Sequence, residues 1–483
     1  MAGFNGPEHY VPLKSALLPL RFERRADGDY FVANIVGDII RLTESELSKL
    51  IEGDVIPGDG LYERAYSAHL IAPPDEKAKL QLLALRLRSR YEFLSQSTAL
   101  HIFVVTLRCE HSCPYCQVSR QNTDKQLFDM SQDTAEKALA IALQSPTQRL
   151  KIEFQGGEPL LNFELIKWIV CRAKELARPL SKVVDFVIAS NLALLDDDIL
   201  AFCKTHDILL STSLDGPADL HNKNRPRPGG NSHELAVRGI KRAQEYLGRD
   251  CVGALMTTSE SSLPRARDII DAYLELDLDG IFLRPLSPYG FAVKTKWIRK
   301  YDARRWLSFY EEGLEYILDI NRTGRRFPEF YAGLILQRML TDQPTSYVDL
   351  RSPAGAGLGA LIYNYDGRIF ASDEGRMLAE MDDDAFELGH VDRDTFRSIL
   401  LSDRLLELVG RSLTQTAPAC SDCAFEAHCG ADPVYHHATQ GDVLGIKPIS
   451  EFCARQKGVM TLLLDKLMNN PDDAKILRSW VRH

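Results

Sequence analysis

Between residues 101 and 285, apolar runs alternate with amphipathic stretches. Six runs are rich in β-branched residues: HIFVVTL from 101, RLKIEF from 149, VDFVIAS from 184, ILLSTS from 208, CVGALMT from 251 and GIFLRP from 280. Stretches of helical length separate them, at 132–144, 163–178, 195–205, 233–247 and 264–276. Repeated βα units at this spacing predict a parallel sheet with helical crossovers. Six units are too few for an eight-stranded barrel, so the pattern predicts an α/β protein with a partial (β/α)6 TIM-like barrel over residues 97–300. On such barrels chemistry gathers at the C-terminal ends of the strands.

The flanking segments read differently. LPLRFER, YFVANI and DIIRL look like short strands, with RADGD (25–29) as a turn. TESE (43–46) has the form of a capping box and predicts a helix start. A further helix is expected near GLYERAYSAHLI, and APPDEK leads into a connector helix ending near residue 96. Strands followed by helices suggest a winged-helix-like module over residues 1–96. After residue 300 the alternation stops. Residues 301–483 are read as bridging helices (302–322 and 328–342) and a second cysteine-bearing domain. LIYNYDGRIFAS predicts a hairpin turning at Asp366-Gly367.

Composition narrows the class. The chain has 483 residues, 45% of them hydrophobic and 26% charged, which suits a globular protein with a sizeable core. A net charge of −9 leaves no electrostatic footprint for nucleic acid. No apolar run reaches the roughly 18 residues of a membrane span, and the N-terminus lacks the pattern of a secretory signal. Ten cysteines at uneven spacings do not form a disulfide framework, and a reducing cytoplasm is the expected compartment. Seven fall into two groups, 109/113/116 and 420/423/429/453; Cys171, Cys203 and Cys251 lie in apolar segments and are expected to be inert core residues.

The first group carries the strongest chemical signal. Cys109-x3-Cys113-x2-Cys116 lies just after the first predicted strand. Three thiolates can hold three irons of a [4Fe–4S] cube and leave the fourth iron open. That iron could bind the amino and carboxylate groups of S-adenosylmethionine, and electron transfer into the sulfonium would release a 5′-deoxyadenosyl radical. A zinc site borrowing His111 is the alternative. GGEP (156–159) closes the second strand, where glycine permits close backbone approach and Glu158 could pair with an ammonium, although a simple tight turn would look the same. STSLDGP (211–217) closes the fourth, followed by HNKNRPR with Arg225; ASN (189–191) and RPLSPYG (284–290) are weaker strand-end segments.

The triad with an aromatic before its last cysteine resembles the signature of the radical SAM superfamily. That resemblance implies an exchangeable S-adenosyl-L-methionine on the first cluster. It places Tyr115 against the adenine, Gly156, Gly157, Glu158 and Pro159 at the amino group, and Ser213, Asp215, Arg225 and Asn191 around the rest of the cofactor. Cys420, Cys423, Cys429 and Cys453 resemble the SPASM extension, implying one auxiliary [4Fe–4S] cluster; a zinc held by the same four thiolates is the alternative. A second auxiliary cluster is expected to be absent, because Ala354, Ser372 and Pro433 stand where the resemblance would put its cysteines. Asp373, directly after Ser372, is the candidate base, with a purely structural pairing to Arg376 as the alternative. The finer resemblance, through LRCEHSCPYCQVSRQ, FQGGEPLLNFELI, LSTSLDGPADLHNKNRP, NYDGRIFASDEGRML and CGADPVYH, is to the B-type maturases of His-Xaa-Ser peptide systems. It implies a radical SAM oxidoreductase and peptide maturase that cross-links a small ribosomally made precursor. It also implies a second radical SAM protein as companion and an electron donor such as flavodoxin or ferredoxin, with no nucleic acid or membrane partner. The N-terminal module would capture a leader by β-strand addition, or would only cap the barrel. Formylglycine-type sulfatase maturation and a non-catalytic iron–sulfur carrier are the competing functions.

Overall fold

A computed structural model describes residues 16–73, 76–343, 345 and 347–481; the expectation about a secretory signal falls largely on residues outside these. The chain divides into two units. The first comprises residues 1–93, 338–344 and 414–430, and the second comprises residues 94–337, 345–413 and 431–483.

In the first unit, strands β1 (Leu20–Arg24), β2 (Tyr30–Asn34) and β3 (Ile39–Leu42) form an antiparallel meander. Helices α1 (Glu44–Glu52), α2 (Gly60–Ser67) and α3 (Lys77–Tyr91) follow. Strands-then-helices is the order the hydrophobic pattern predicted. The capping box forms as read: the Glu46 backbone N–H donates to the Thr43 hydroxyl, and the Thr43 backbone N–H donates to the Glu46 carboxylate at 2.9 Å. Val32, Leu42, Leu47, Leu50, Leu61, Ala65 and Leu70 share one buried core. The segment carrying Cys420, Cys423 and Cys429 is built into this same unit. Arg21 pairs with Glu426 at 3.0 Å, Phe425 meets Phe31 edge-on, and His428 Nε2 lies 2.7 Å from the Gly37 carbonyl.

The second unit holds the βα repeat. It runs β4 (Leu100–Thr106), α4 (Gln132–Ala142), β5 (Arg149–Gly156), α5 (Phe163–Ala177), β6 (Val183–Ala189), α6 (Asp197–His206), β7 (Ile208–Ser213), α7 (Ser232–Leu247), β8 (Val252–Leu255) and α8 (Ala266–Glu275). Helix α9 (Ala303–Arg322) follows, then β9 (Ala360–Tyr363), β10 (Arg368–Phe370), α10 (Asp373–Ala379) and β11 (Glu387–His390). The sheet order is β8-β7-β6-β5-β4-β9-β10-β11, parallel from β8 through β9 and antiparallel beyond. The unit ends in helices α11 (Pro433–Gln440) and α12 (Glu451–Asn469).

Six parallel strands are present, but one differs from expectation. The run GIFLRP does not join the sheet: Ile281 makes only an isolated bridge to Glu329, and the Leu283 N–H donates to the Glu329 carboxylate at 3.0 Å. Pro285 and Pro288 remove two of the donors that a strand would need there. The sixth parallel strand is instead β9, on the opposite edge beside β4, in register Ile102↔Ile362. The hairpin at Asp366-Gly367 forms as read, with Gly367 at φ +91° between β9 and β10. Of the three isolated cysteines, Cys203 is buried as expected, whereas Cys171 is exposed on α5 and Cys251 is half-buried.

Strand β5 shows why the lumen is polar. Leu150, Ile152 and Phe154 are buried, while Arg149, Lys151, Glu153 and Gln155 alternate with them on the other face. Alternation puts the second set on one side of the sheet. Glu153 and Gln155, nearest the C-terminal end, line the cavity described next.

Candidate functional site

The C-terminal ends of β4 to β8 surround a cavity of about 260 Å³. The cysteine loop forms one wall, with Cys109, Cys113 and Cys116 all half-buried and lining the space. Arg108 anchors the loop: its guanidinium donates twice to Asp129, at 2.6 and 2.7 Å, and once to the Leu161 carbonyl at 2.8 Å. At the far end the Phe291 N–H donates to the Cys116 carbonyl at 2.8 Å. Gly290, which closes the RPLSPYG segment, has φ +57°, and a Cβ there would lie 2.3 Å from the Gln117 carbonyl oxygen. Burial pushes the Cys113 thiol up to about 12, and burial together with Glu110 also raises the Cys109 thiol. Ligating a metal here must therefore displace protons.

Gly156 and Gly157 line the cavity, and they are small for a further reason than close approach of a ligand. A Cβ on Gly156 would meet the Thr106 carbonyl oxygen at 2.3 Å, and one on Gly157 would meet that of Arg108 at 2.3 Å. The Gly157 and Glu158 N–H groups donate to these same two carbonyls, at 2.8 and 2.7 Å. The glycines thus let β5 clamp the stretch of chain that leads into the cysteines. Glu158 and Pro159 do not line the cavity. The fully buried Glu158 carboxylate accepts from the Ser190 hydroxyl at 2.7 Å, the Asn191 N–H at 2.8 Å and the Leu160 N–H at 3.0 Å. Burial and the neighbouring Glu110 raise its pKa despite these donors. Pro159 opens a short buried turn behind the wall.

Asn191 and Ser213 line the cavity. The Asn191 amide donates to Glu110 at 2.8 Å and lies 3.0 Å from His111 Nδ1, tying the third strand end to the cysteine loop. Among the described residues, Cys109, Glu110 and His111 form the group whose potential ligand atoms converge within 4.8 Å.

Asp215 lies behind the wall, fully buried, and organises residues far apart in sequence. Arg225 clamps it with two hydrogen bonds at 3.0 and 3.2 Å, the Tyr115 hydroxyl donates to it, and so does the Thr257 N–H at 3.2 Å. Burial opposes ionisation of Asp215, but the Arg225 guanidinium outweighs it and holds the carboxyl below its usual range. Arg225 also sits over the Tyr115 ring, 5.4 Å from its centre, and Trp297 packs beside that ring. Tyr115 is thereby locked in position.

Across the cavity, α10 begins at Asp373, which lines the space and pairs with the fully buried Arg376 at 2.9 Å. Both readings of Asp373 thus have a physical basis in the one arrangement. The three positions expected to lack cluster ligands have structural duties. Ser372 is the N-cap of α10, accepting from the Gly375 N–H at 2.9 Å. Pro433 occupies the first turn of α11, where its missing N–H costs nothing. Ala354 is buried, its N–H donating to the Ser412 hydroxyl at 3.0 Å. Cys420, Cys423 and Cys429 lie in the first unit, while Cys453 stands in the first turn of α12 in the second.

Glu153, Gln155, Thr257 and Arg284, to which no motif assigned an individual role, also line the cavity. For the first two a signal existed: a parallel strand covered on both faces should read as wholly apolar, so polar alternation marks the lumen side. Three lining groups carry buried polar atoms with no partner among the described residues: Gln117 Nε2, Arg120 Nε and Thr212 Oγ1. With three thiols on one wall, such orphaned atoms suit a chamber shaped for a polar cofactor beside a metal cluster.

Residues 103–261 match the Radical SAM superfamily. The chain is 28% identical over 188 residues to an uncharacterised protein of Methanocaldococcus jannaschii, covering 39% of this chain and 62% of that one. It is 27% identical over 236 residues to the radical SAM cyclopropyl synthase TigE of Paramaledivibacter caminithermalis, covering 42% of this chain and 49% of that one. The chain thus spans less than two thirds of the length of either relative. Among solved structures, the fold resembles anSMEcpe with bound AdoMet, with a TM-score of 0.65 at 16% identity over 78% of this chain and 98% of that one. It also resembles Streptococcus suis SuiB bound to its precursor peptide SuiA, with a TM-score of 0.54 at 14% identity over 89% of this chain and 98% of that one. No helix among the described residues is long and apolar enough to cross a membrane. The thiol triad at the mouth of a partial barrel and the family match over the same residues lead to one conclusion: residues 103–261 form a radical SAM domain, of the family that uses a [4Fe–4S] cluster with S-adenosylmethionine.

Proposed function

We propose that the protein modifies a ribosomally made precursor peptide oxidatively, forming a cross-link on it. The observation that carries this reading is the layout of the barrel-mouth cavity. Three thiols stand on one wall and the Asp373 carboxylate on another, with a cavity of about 260 Å³ between the lining groups. The cluster and S-adenosylmethionine would supply a 5′-deoxyadenosyl radical for hydrogen abstraction. Cys109, Cys113 and Cys116 would hold that cluster. Tyr115, Asn191, Ser213 and Arg225 would position the cofactor, with Asp215 and Glu158 bracing them from behind. Asp373 would accept the proton released as the substrate loses its second electron. Cys420, Cys423, Cys429 and Cys453 would hold one auxiliary [4Fe–4S] cluster able to receive that electron. The fold is shared with anSMEcpe and with SuiB, each of which has been solved with a peptide bound, and that supports a peptide substrate. The first unit's meander leaves β1 and β3 as edge strands, which suits capture of a leader by strand addition. A His-Xaa-Ser type precursor and a companion radical SAM protein belong to the same proposal.

Anaerobic reconstitution with iron, sulfide, S-adenosylmethionine and dithionite tests the reading. 5′-Deoxyadenosine should form, and a co-expressed small precursor should lose two hydrogen atoms by mass spectrometry. A protein that binds S-adenosylmethionine but never yields 5′-deoxyadenosine, even with peptide, would be a carrier instead. Iron sufficient for two cubes is expected; enough for three would contradict the lost-cluster argument, and one cube plus zinc would replace the auxiliary cluster.

A further inference from the structure

A second cavity, of about 70 Å³, adjoins the first within the same unit. Arg284 lines both, and the helix start of α10 divides them: Asp373 faces the first and Glu374 the second. Its walls are aromatic, including Trp306, Tyr331, Tyr347 and Tyr435, and the Phe282 and Tyr331 rings stack with centres 5.2 Å apart. Three carboxylates, Asp349, Glu374 and Asp432, also line it. Among the described residues, no Lys or Arg lies within ion-pair distance of any of them. The two arginines in the wall, Arg284 and Arg455, leave one carboxylate in excess.

Two further groups point to a ligand. Gln456 and Trp306 are 5% and 1% exposed, and both line the cavity. Gln456 Oε1, an acceptor, and Trp306 Nε1, a donor, have no hydrogen-bond partner among the described residues. Leaving such atoms unpaired in a buried site is unfavourable. The cavity therefore presents an excess of acceptors, one orphan donor and flat aromatic walls. The three carboxylates arise from separate segments and do not form a converging ligand group like Cys109, Glu110 and His111. A compact metal ion or ammonium could not reach several of them at once. An extended planar cation could, with its face against the rings.

We infer that this cavity binds the guanidinium of an arginine side chain of the peptide, beside the chamber where the radical is formed. The Trp306 N–H would meet a carbonyl of the same peptide. Only the identity of this occupant as a substrate residue rests on the peptide-modification reading; the binding itself does not.

The test uses the full-length reconstituted protein and two probes, acetyl-Gly-Arg-Gly-amide and its citrulline counterpart, which keeps the shape and removes the charge. Isothermal titration should show the arginine peptide binding about tenfold or more tighter than the citrulline one. The Asp349→Asn/Glu374→Gln double variant should lose that preference while keeping its affinity for S-adenosylmethionine. Equal binding of the two peptides to the unaltered protein, or none of either, overturns the proposal and needs no variant. Stoichiometric uptake of manganese(II) by the unaltered protein that the double variant loses overturns it in favour of a metal site. Titration involves no turnover, so absence of 5′-deoxyadenosine with the arginine preference intact would sink the proposed function and leave the cavity assignment standing.

Discussion

Asp215, behind the cysteine chamber, and the carboxylates of the adjoining second cavity are held in opposite ways. Behind the cysteine chamber, Asp215 is clamped by Arg225 and receives Tyr115 and the Thr257 N–H, and its pKa is depressed. Around the second cavity, burial and then repulsion from Asp432 raise the pKa of Asp349, burial and then Asp349 raise that of Glu374, and burial with the nearby Glu374 raises that of Asp432. The difference teaches that one region uses buried charge to fix geometry and the other holds charge in reserve for a partner. A fully paired buried ion locks neighbouring side chains, whereas a carboxylate kept partly protonated is poised to ionise against an incoming cation.

The contrast can be broken most sharply at the thiols. Cys113→Ala should abolish 5′-deoxyadenosine formation outright, assayed by liquid chromatography after reconstitution; retained production would remove the triad from the chemistry. Next in size, Asp215→Asn leaves the Arg225 cation without its counter-ion, and should cost about 3–5 kcal/mol in denaturant unfolding. A loss below ~1 kcal/mol would mean that the clamp does not organise the chamber. Asp373→Asn should lower peptide product formation about a hundredfold while 5′-deoxyadenosine still appears, the pattern of a lost proton acceptor. An equal fall in both would assign Asp373 to structure alone.

The pH dependence carries opposite signs for Asp215 and for the carboxylates of the second cavity. A carboxylate with a raised native pKa stabilises the fold below its unfolded value near 4, and that contribution is lost as pH rises through the native value. Asp215, with a lowered pKa, contributes stability that is present above the unfolded value and is lost as pH falls through the native one. The unfolding free energy of Asp349→Asn/Glu374→Gln, from urea titration, should therefore rise relative to the unaltered protein between pH 5 and 8, by about 1–2 kcal/mol. Parallel curves would show that Arg284, Arg455 and the surrounding tyrosines already neutralise the cavity. The smallest effect is expected at Ser372→Ala, which removes the cap of α10 beside both cavities and should cost about 1 kcal/mol.

Much of the chamber was legible because its motifs are local. Cysteine spacing, GGEP and the hairpin at Asp366-Gly367 each depend on residues within a few positions of one another, and backbone geometry does the rest. The sixth strand was misplaced because GIFLRP has the composition of a strand but carries prolines just beyond it, while β9 reaches the sheet from 360–363. The purpose of Gly156 and Gly157 was only half visible. The collisions that a Cβ would suffer are with Thr106 and Arg108, some fifty residues earlier in the chain.

The sequence by itself determined the first five strands of the βα repeat and the thiol triad at a strand end. Periodicity and spacing are properties of neighbouring residues, and hydrophobic burial turns them into elements almost regardless of context. Only the tertiary structure decided that Tyr115, Asp215 and Arg225 form one locked group. It also removed Glu158 from the cavity wall and gathered Asp349, Glu374 and Asp432 around aromatic rings from segments spread between residues 282 and 459. Those facts depend on which surfaces exclude water together. That is settled by packing across long sequence separations, where no local pattern leaves a mark.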